Sequence, residues 1–307
     1  MILCSGEALV DMLPREGAGG ERAFAPHAGG SVFNTSIALG RLGAPTGIFS
    51  GISTDLFGNM LVASLEESGV DATFAAMSDR PTTLAFVTLT DGQASYAFYD
   101  ENTAGRMLTP ADLPELDDSV SALFFGGISL MVEPCAHAYE ALFMREAARR
   151  VIMIDPNIRQ SFIEEEERYR ARISGMMMAA DIIKVSDEDL AWLAWHDNLA
   201  DAAGQLLDAG AKIVCVTEGA DGVTGHMAGG GVKVVADRVD VVDTVGAGDT
   251  FNAGLLAALH EAGALTKDRI GSLDEAALRD ALTFGVRAAA VTVSRAGANP
   301  PTREELQ

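Results

Sequence analysis

Residues 122–154 read ALFFGGISLMVEPCAHAYEALFMREAARRVIMI, and this stretch indicates the class of fold. It begins with a short apolar run at 122–126 and ends with a second run at 151–154, both typical of buried strands. Between them, apolar side chains recur at the spacing of one helix face: Tyr139, Leu142, Phe143 and Ala147. Apolar strands that alternate with helices predict a parallel sheet covered on both faces.

The same alternation continues toward the C-terminus, with further apolar runs at 181–185 and 212–217. Two other regions, 8–25 and about 70–100, instead combine alternating strand patterns with turns. The second contains Asp91-Gly92 between two such runs, which is a hairpin signal. We therefore expect an α/β fold with a mainly parallel central sheet, on which these two regions form one small sheet that acts as a lid.

Composition excludes several classes of partner. The chain has 307 residues, with 22 Lys and Arg against 44 Asp and Glu, so its formal charge is 22 − 44 = −22. This charge repels nucleic-acid backbones and anionic lipid surfaces, and the sequence contains no stretch that reads as a membrane span. The three cysteines, Cys4, Cys135 and Cys215, are too few and too far apart for a disulfide framework, which favours the cytoplasm.

Several common catalytic motifs are absent from the sequence. It contains no GxxxxGK[ST], GxGxxG, HExxH or GxSxG pattern, and its five histidines lack metal-ligand spacing. The chain is therefore not expected to be a P-loop ATPase, a dinucleotide-binding dehydrogenase, a zinc protease or an α/β hydrolase.

The most informative motif is DTVGAGDTF at 243–251. Helical spacing follows it, so Gly246, Ala247 and Gly248 are expected at a helix N-terminus, where free N–H groups and the helix dipole bind anions. Asp249 lies in the same turn, and we expect the helix field to keep it ionised as a proton acceptor. Such a pair is what phosphoryl transfer to a hydroxyl requires. The alternative is a helix cap in which Asp249 only satisfies the dipole.

A second cluster lies near the N-terminus, in GEALVD at 6–11 and GGSVFN at 29–34. The two glycines permit close approach of the backbone to a ligand, and Asp11 and Asn34 carry groups that hydrogen-bond sugar hydroxyls. The alternative is a Gly-Gly turn followed by a helix that Asn34 caps.

Together, the two clusters resemble the signatures of the ribokinase-like family of sugar kinases, the phosphofructokinase-B type, over essentially the whole chain. The similar positions are 29–34, Gly51, Asp55, Gly58, 69–71 and 243–251. Within this family, 155–159 (DPNIR) and Phe98-Tyr99 followed by Ala104 look most like the fructokinases. The resemblance implies one three-layer α/β/α domain over 1–307, with a small β-sheet lid formed by about 8–25 and 70–100.

The resemblance also implies a role for individual residues. Asp249 would be the catalytic base, and Gly246, Ala247 and Gly248 the anion hole. The positions similar to the family's sugar site are Asp11, Gly29, Gly30, Asn34, Phe98 and Arg159. Those similar to its ATP site are Lys184, Ser186, Thr217, Gly219 and Gly222. Asp243 and Val245, with the loop near Gly297, match a site for a monovalent cation such as K⁺.

This sequence departs from the family pattern at three places. The Asn-x-x-Glu motif linked to Mg²⁺ reads SDED at 186–189, so Asp189 is either a Mg²⁺ residue acting through water or part of a helix cap with Ser186. Ribokinases carry a lysine where Ser31 and Val32 stand, which disfavours ribose. Asp100 replaces an arginine found in many fructokinases and acid-sugar kinases, and it would repel an acidic sugar if it faced the pocket.

The resemblance thus implies ATP-dependent phosphorylation of a neutral ketohexose, with fructose giving fructose 6-phosphate, and Mg²⁺ and K⁺ as cofactors. The alternatives are 2-keto-3-deoxygluconate, another sugar or a nucleoside as acceptor, and a sensor that binds sugar or nucleotide without catalysis. Exposed edges of the lid sheet further suggest a homodimer formed through the lid.

Overall fold

A computed structural model describes residues 1–90, 93–193 and 199–307, with the side chains of 88–90 and 93–96 left out. The described strands are β1 (Ile2–Ser5), β2 (Leu9–Glu16), β3 (Arg22–Gly29), β4 (Thr46–Phe49), β5 (Gly51–Ser53), β6 (Val70–Asp71), β7 (Ala76–Ser78), β8 (Leu84–Thr90), β9 (Gln93–Tyr99), β10 (Ala122–Gly126), β11 (Val151–Asp155), β12 (Ile182–Ser186), β13 (Ile213–Thr217), β14 (Val223–Met227) and β15 (Gly230–Val234). The described helices are α1 (Ser31–Arg41), α2 (Leu56–Glu67), α3 (Cys135–Glu146), α4 (Glu166–Ala179), α5 (Asp187–Leu193), α6 (Leu199–Ala209), α7 (Ala247–Glu261), α8 (Lys267–Ile270) and α9 (Glu275–Val293).

A large sheet forms the centre of the molecule. Among the described residues its strand order is β15-β14-β13-β12-β11-β10-β1-β4-β6. The strands from β13 to β6 are parallel, whereas β14 and β15 run antiparallel at one edge. The apolar runs predicted as strands at 122–126, 151–154, 181–185 and 212–217 are confirmed as β10 to β13, and the predicted helix is α3.

Helices cover both faces of the large sheet, because alternate residues of its strands are buried on opposite sides. In β10, Leu123 and Phe125 pack into one core with α3 and α4, whereas Ala122 and Phe124 pack into another core with α7 and α9. This double burial explains why the strands read as continuous apolar runs. The predicted three-layer α/β fold is confirmed.

A separate small sheet has the strand order β3-β2-β8-β9. The antiparallel pairs β2–β3 and β8–β9 are joined by a parallel pairing between β2 and β8, so two distant segments build one sheet. The predicted turn at Asp91-Gly92 lies outside the described residues. The predicted segment 70–100 begins too early, because β6 pairs with β4 in the large sheet and β7 pairs with β5.

The carboxyl ends of β1, β10, β11 and β12 lie side by side at one edge of the large sheet. Open α/β sheets place their ligands at this edge. In the part of the chain that is described, no helix is both long and apolar enough to cross a bilayer.

Candidate active site

A cleft with a volume of about 610 Å³ opens at this edge, and the N-terminus of α7 forms one of its walls. Gly246 caps the helix with φ of 78°, a left-handed conformation that favours glycine. Within the described residues, the N–H groups of Gly248 and Asp249 have no protein acceptor. Residues 244–249 all line the cleft, so these donors face a space large enough for a ligand.

Asp249 lies at the base of this wall and is only 8% exposed. Its Oδ2 accepts a hydrogen bond from Asn34 Nδ2 at 2.9 Å. Burial raises the pKa of Asp249 to about 7, and the negative charge of Asp155 adds to this, while the Asn34 hydrogen bond and Lys184 oppose it. Loss of water around the carboxylate thus acts against the helix field, which favours the ionised form, and the role of Asp249 as proton acceptor stays a prediction.

This pKa predicts the pH dependence of turnover. A base must be deprotonated to accept a proton, so kcat/KM should rise with pH through about 7, the pKa of Asp249, and level off above it. Initial rates measured from pH 5.5 to 8.5 at constant ionic strength would test this, with nucleotide and acceptor well below KM. A profile that is flat between pH 6 and 8 would contradict it.

The side chains predicted to bind the sugar lie mostly around the cleft. Its lining includes Asp11, Gly30, Asn34, Phe98 and Arg159. Gly29 is not part of the lining, but a Cβ at this position would lie 2.2 Å from Asp11 Oδ2, so only glycine leaves room for that carboxylate. Burial raises the pKa of Asp11 to about 6.

Sequence reasoning assigned no role to three residues that also line the cleft: Glu7, Asp155 and Asn157. Glu7 accepts hydrogen bonds from Ser31 N and Oγ and from Ser129 N, so it joins the start of α1 to the loop after β10. Glu7 follows β1 and Asp155 ends β11, both at the sheet edge where ligands bind. This position at the end of a buried strand is the signal by which sequence reasoning could have found these two carboxylates.

Asp100 does not line the cleft. Its Oδ2 forms a 2.9 Å ion pair with Arg106 Nη1, and its side chain is 14% exposed. The sequence argument that Asp100 repels an acidic sugar therefore loses its basis, since Arg106 compensates this charge outside the cleft. The carboxylates that do line the cleft are Glu7, Asp11, Asp155 and Asp249.

A smaller cavity of about 120 Å³ adjoins the cleft and is lined by Lys184, Ser186 and Asp189, among others. Ser186 Oγ accepts from Asp189 N at 3.0 Å, and Asp189 Oδ2 accepts in return from Ser186 N at 3.4 Å. Asp189 Oδ1 accepts from Ile158 N at 3.0 Å. These contacts are those of a cap on α5, the alternative that the sequence left open. They leave the role of Asp189 toward Mg²⁺ as a prediction.

The other residues predicted to bind ATP follow β13. Thr217 Oγ1 donates to Val185 O at 3.3 Å, which joins the ends of β13 and β12. Gly219 and Gly222 have positive φ of 54° and 95° in the turn to β14. Neither the cleft nor the smaller cavity is lined by these three residues.

The predicted cation site joins two distant loops. Asp243 Oδ1 accepts from Val245 N at 3.0 Å, and Oδ2 accepts from Gly297 N at 2.9 Å. Both carboxylate oxygens of Asp243 thus accept main-chain N–H groups of these loops, and the role of these residues toward a monovalent cation stays a prediction. No cluster of three or more His, Cys, Asp or Glu side chains is positioned to hold a metal within the described residues.

A cleft at the ends of parallel strands, with free main-chain donors beside a buried carboxylate, defines an enzyme that transfers an oxyanion group to a hydroxyl. The sequence model of the pfkB family of carbohydrate kinases matches residues 1–305. The chain belongs to this family and is a sugar phosphotransferase.

Two individual relatives and one solved structure support this family assignment. A fructokinase of Rhizobium leguminosarum bv. trifolii is 55% identical over 91% of this chain and 86% of its own length. A probable fructokinase of Arabidopsis thaliana is 34% identical over 100% of this chain and 95% of its own length. The crystal structure of a fructokinase with bound ATP from Xylella fastidiosa has a TM-score of 0.85 at 29% identity, covering 97% and 93% of the two chains. The predicted family and fold are confirmed.

Proposed function

We propose that this enzyme transfers the γ-phosphoryl group of ATP to fructose and forms fructose 6-phosphate. The observation that carries the choice of fructose is the 55% identity, over 91% of the chain, to a protein named fructokinase.

Asp249 is the base in this proposal. Its carboxylate accepts the proton of the acceptor hydroxyl while the hydroxyl oxygen forms a bond to the γ-phosphorus. The bond from that phosphorus to the β,γ-bridging oxygen breaks, and its electron pair leaves with ADP. The N–H groups of Gly248 and Asp249 lack protein acceptors in the described chain, so they are available to stabilise the oxygens of the moving group. Gly246 and Ala247 shape the same turn.

The sugar is oriented by Asp11, Gly29, Gly30, Asn34, Phe98 and Arg159. A neutral acceptor suits the cleft, because its lining includes four carboxylates, whereas its lysine and arginine are Lys184 and Arg159. An acceptor with its own carboxylate would enter a field that is already negative. This argument replaces the one from Asp100.

ATP is held by Lys184, Ser186, Thr217, Gly219 and Gly222 at the ends of β12 and β13. A related protein of similar fold carries ATP, which supports a nucleotide site in this chain. Mg²⁺ bound with the nucleotide would offset phosphate charge, and Asp189 lies at the adjoining cavity. A K⁺ ion would be held near the start of α7 by Asp243 and Val245.

In this proposal the small sheet is the lid over the sugar. Phe98 of β9 contacts Phe162, which follows β11 of the large sheet, with ring centroids 4.1 Å apart, and both side chains line the cleft. The sheet carries exposed aromatic side chains, with Phe24 42% and Tyr99 63% exposed. We expect two chains to pair through this sheet. Light scattering at micromolar concentration should give the mass of a dimer, and a monomer would contradict this.

Three buried free cysteines and the need for ATP favour the cytoplasm as the location of the enzyme.

A panel of acceptors tests the choice of fructose. We expect kcat/KM for fructose to exceed that for ribose, 2-keto-3-deoxygluconate and a purine nucleoside by at least about tenfold, with ADP formation as the readout. The position of the phosphate in the product would be read by NMR. A preference for the acidic sugar would exclude fructose as the main acceptor, and binding of sugar and ATP without product would indicate a sensor.

A further inference from the structure

Glu7, between β1 and β2, is a buried carboxylate that is only 9% exposed. Its Oε1 accepts from Ser31 N at 3.0 Å and from Ser31 Oγ at 2.9 Å, and its Oε2 accepts from Ser129 N at 3.2 Å. Among the described residues, no lysine or arginine pairs with it. A buried charge without a cationic partner is costly, so this carboxylate indicates a use that a neutral side chain would not serve.

The surroundings of Glu7 require a group that only accepts hydrogen bonds. All three partners of its side chain are donors, whereas the amide of glutamine would turn an NH₂ group toward one of them. Ser31 N belongs to the first turn of α1, where free N–H groups carry partial positive charge. The main-chain oxygen of Glu7 also accepts from Phe33 N at 3.2 Å in this turn. Glu7 therefore holds the start of α1 with both its side chain and its backbone.

The carboxylate also joins two walls of the cleft. One wall is the start of α1, which contributes Ser31 and Asn34 to the lining, and the other is the turn after β10, which contributes Gly127 and Ile128. The donor from the second wall is Ser129 N. Without an acceptor between them, the donors of the two walls would lose their common partner, and the spacing of the walls would no longer be fixed.

The turn after β10 leaves room for this carboxylate at Gly127. This glycine has φ of 71°, and a Cβ built on it would lie 2.1 Å from Glu7 Oε1 and 2.5 Å from Ser31 Oγ. A side chain there would push the carboxylate away from α1. The residue before Glu7 is fixed as well, since Tyr139 Oη of α3 donates to Gly6 O at 3.0 Å. The backbone and the side chain of Glu7 thus have little freedom.

The first turn of α1 reaches from Glu7 to the base. Asn34 Nδ2 donates to Asp249 Oδ2 at 2.9 Å, and Thr35 Oγ1 donates to Asp249 O at 3.3 Å. Gly30 and Asn34 of the same segment orient the sugar in the proposed function. A displacement of this turn would therefore move groups that face the acceptor, whereas the residues proposed for ATP lie at the ends of β12 and β13.

We propose that Glu7 is a positioning residue that sets the spacing between the start of α1 and the turn after β10, and thereby shapes the part of the cleft that receives the acceptor. The inference rests on the proposed function, in which this part of the cleft binds the sugar. Glu7 acts through Ser31 and Ser129 and takes no part in the transfer of a proton or a phosphoryl group. Its loss should weaken acceptor binding and leave nucleotide binding intact.

Steady-state kinetics of Glu7→Gln test this role with a side chain of the same size. The KM of fructose, or of the acceptor preferred in the panel, should rise at least about tenfold, because hydrogen bonds to a charged group are lost. The KM of ATP should change less than about twofold and kcat less than about threefold, because the base and the anion-binding turn belong to α7. A normal acceptor KM, or an equal rise in both KM values, would overturn the proposal.

Glu146→Gln is the matched control. Glu146 is also a buried carboxylate, 4% exposed, but it lies in α3 and pairs with Arg145 and Arg150 away from the cleft. Both variants should lower the Tm, whereas only Glu7→Gln should raise the acceptor KM. If the control raises the acceptor KM by the same factor, general destabilisation explains the effect and the proposal fails.

Gly127→Ala is the second variant, to be used if Glu7→Gln does not fold. It displaces the carboxylate without altering it, and it should raise the acceptor KM at least about threefold. Its control is Gly43→Ala, since Gly43 has a comparable φ of 81° but a Cβ built on it meets no atom within 4 Å. The two substitutions impose similar backbone strain, so equal acceptor KM values in the two variants would overturn the proposal.

Hydrogen exchange of the free enzyme separates positioning from direct contact with the sugar. Glu7→Ala removes all three side-chain hydrogen bonds, so peptides covering 29–34 and 127–130 should exchange faster than in the unaltered protein, and peptides covering 140–146 should not. Mass spectrometry measures these rates. Equal rates at 29–34 and 127–130 would overturn the proposal. Absence of sugar phosphorylation by the unaltered enzyme would instead refute the proposed function.

Discussion

Asp249→Asn should lower kcat about 10²–10⁴-fold, because asparagine cannot accept the proton of the acceptor hydroxyl. The amide is nearly the same size and its oxygen can still accept the Asn34 hydrogen bond, so the cleft should keep its shape. Initial rates at saturating nucleotide and acceptor would measure the loss. A variant that retains near-normal kcat would remove Asp249 from the mechanism.

The same substitution should stabilise the protein at pH 8. Burial raises the pKa of Asp249 from an ordinary value of 3.8 to about 7, so the folded state binds this proton more tightly than the unfolded state. The contribution of Asp249 to the free energy of unfolding is therefore fully present below pH 3.8, and it is lost as the pH rises through about 7.

Asparagine carries no charge to desolvate, so Asp249→Asn should unfold at a higher temperature than the unaltered protein at pH 8, with the gain shrinking toward pH 5. Thermal unfolding followed by circular dichroism at both pH values measures this. A lower Tm at pH 8 would contradict the assigned pKa shift. Loss of activity together with a gain in stability would also show that inactivity does not arise from misfolding.

Gly248→Val should lower kcat/KM at least about 10²-fold, because a side chain there would fill the anion-binding turn. The first carbon of that side chain would already lie 3.3 Å from Lys184 Nζ, and the two methyl groups beyond it would displace either the ammonium or the phosphate. The effect should appear in both kcat and the KM for ATP, and steady-state kinetics would measure it.

Gly175→Val is the matched control for this substitution. Gly175 also lies in a helix, α4, but it is exposed and a Cβ built on it meets no atom within 4 Å. The control should keep kcat/KM within about twofold. If Gly248→Val behaves like the control, the main chain at the start of α7 does not bind the transferring group.

Periodicity and turn chemistry alone determined the main elements. Leu123 and Phe125 alternate with Ala122 and Phe124 in a strand buried on both faces, and a run of this kind has few other uses. The start of α7 was likewise readable, because three small residues, 246–248, stand directly before apolar residues at helical spacing, and the helix begins at Ala247. These features depend on residues a few positions apart, so one sequence suffices to predict them.

Tertiary structure decided the electrostatics of the site. The pairing of Asp155 with Lys184 and Asn252 joins residues that are 29 and 97 positions apart, and no local pattern reports it. Asp100 turned out to pair with Arg106 rather than face the cleft. The pKa of Asp249 depends on how much water the surrounding chain excludes. Local sequence determines backbone conformation, whereas desolvation and charge pairing depend on what the fold places next to each group.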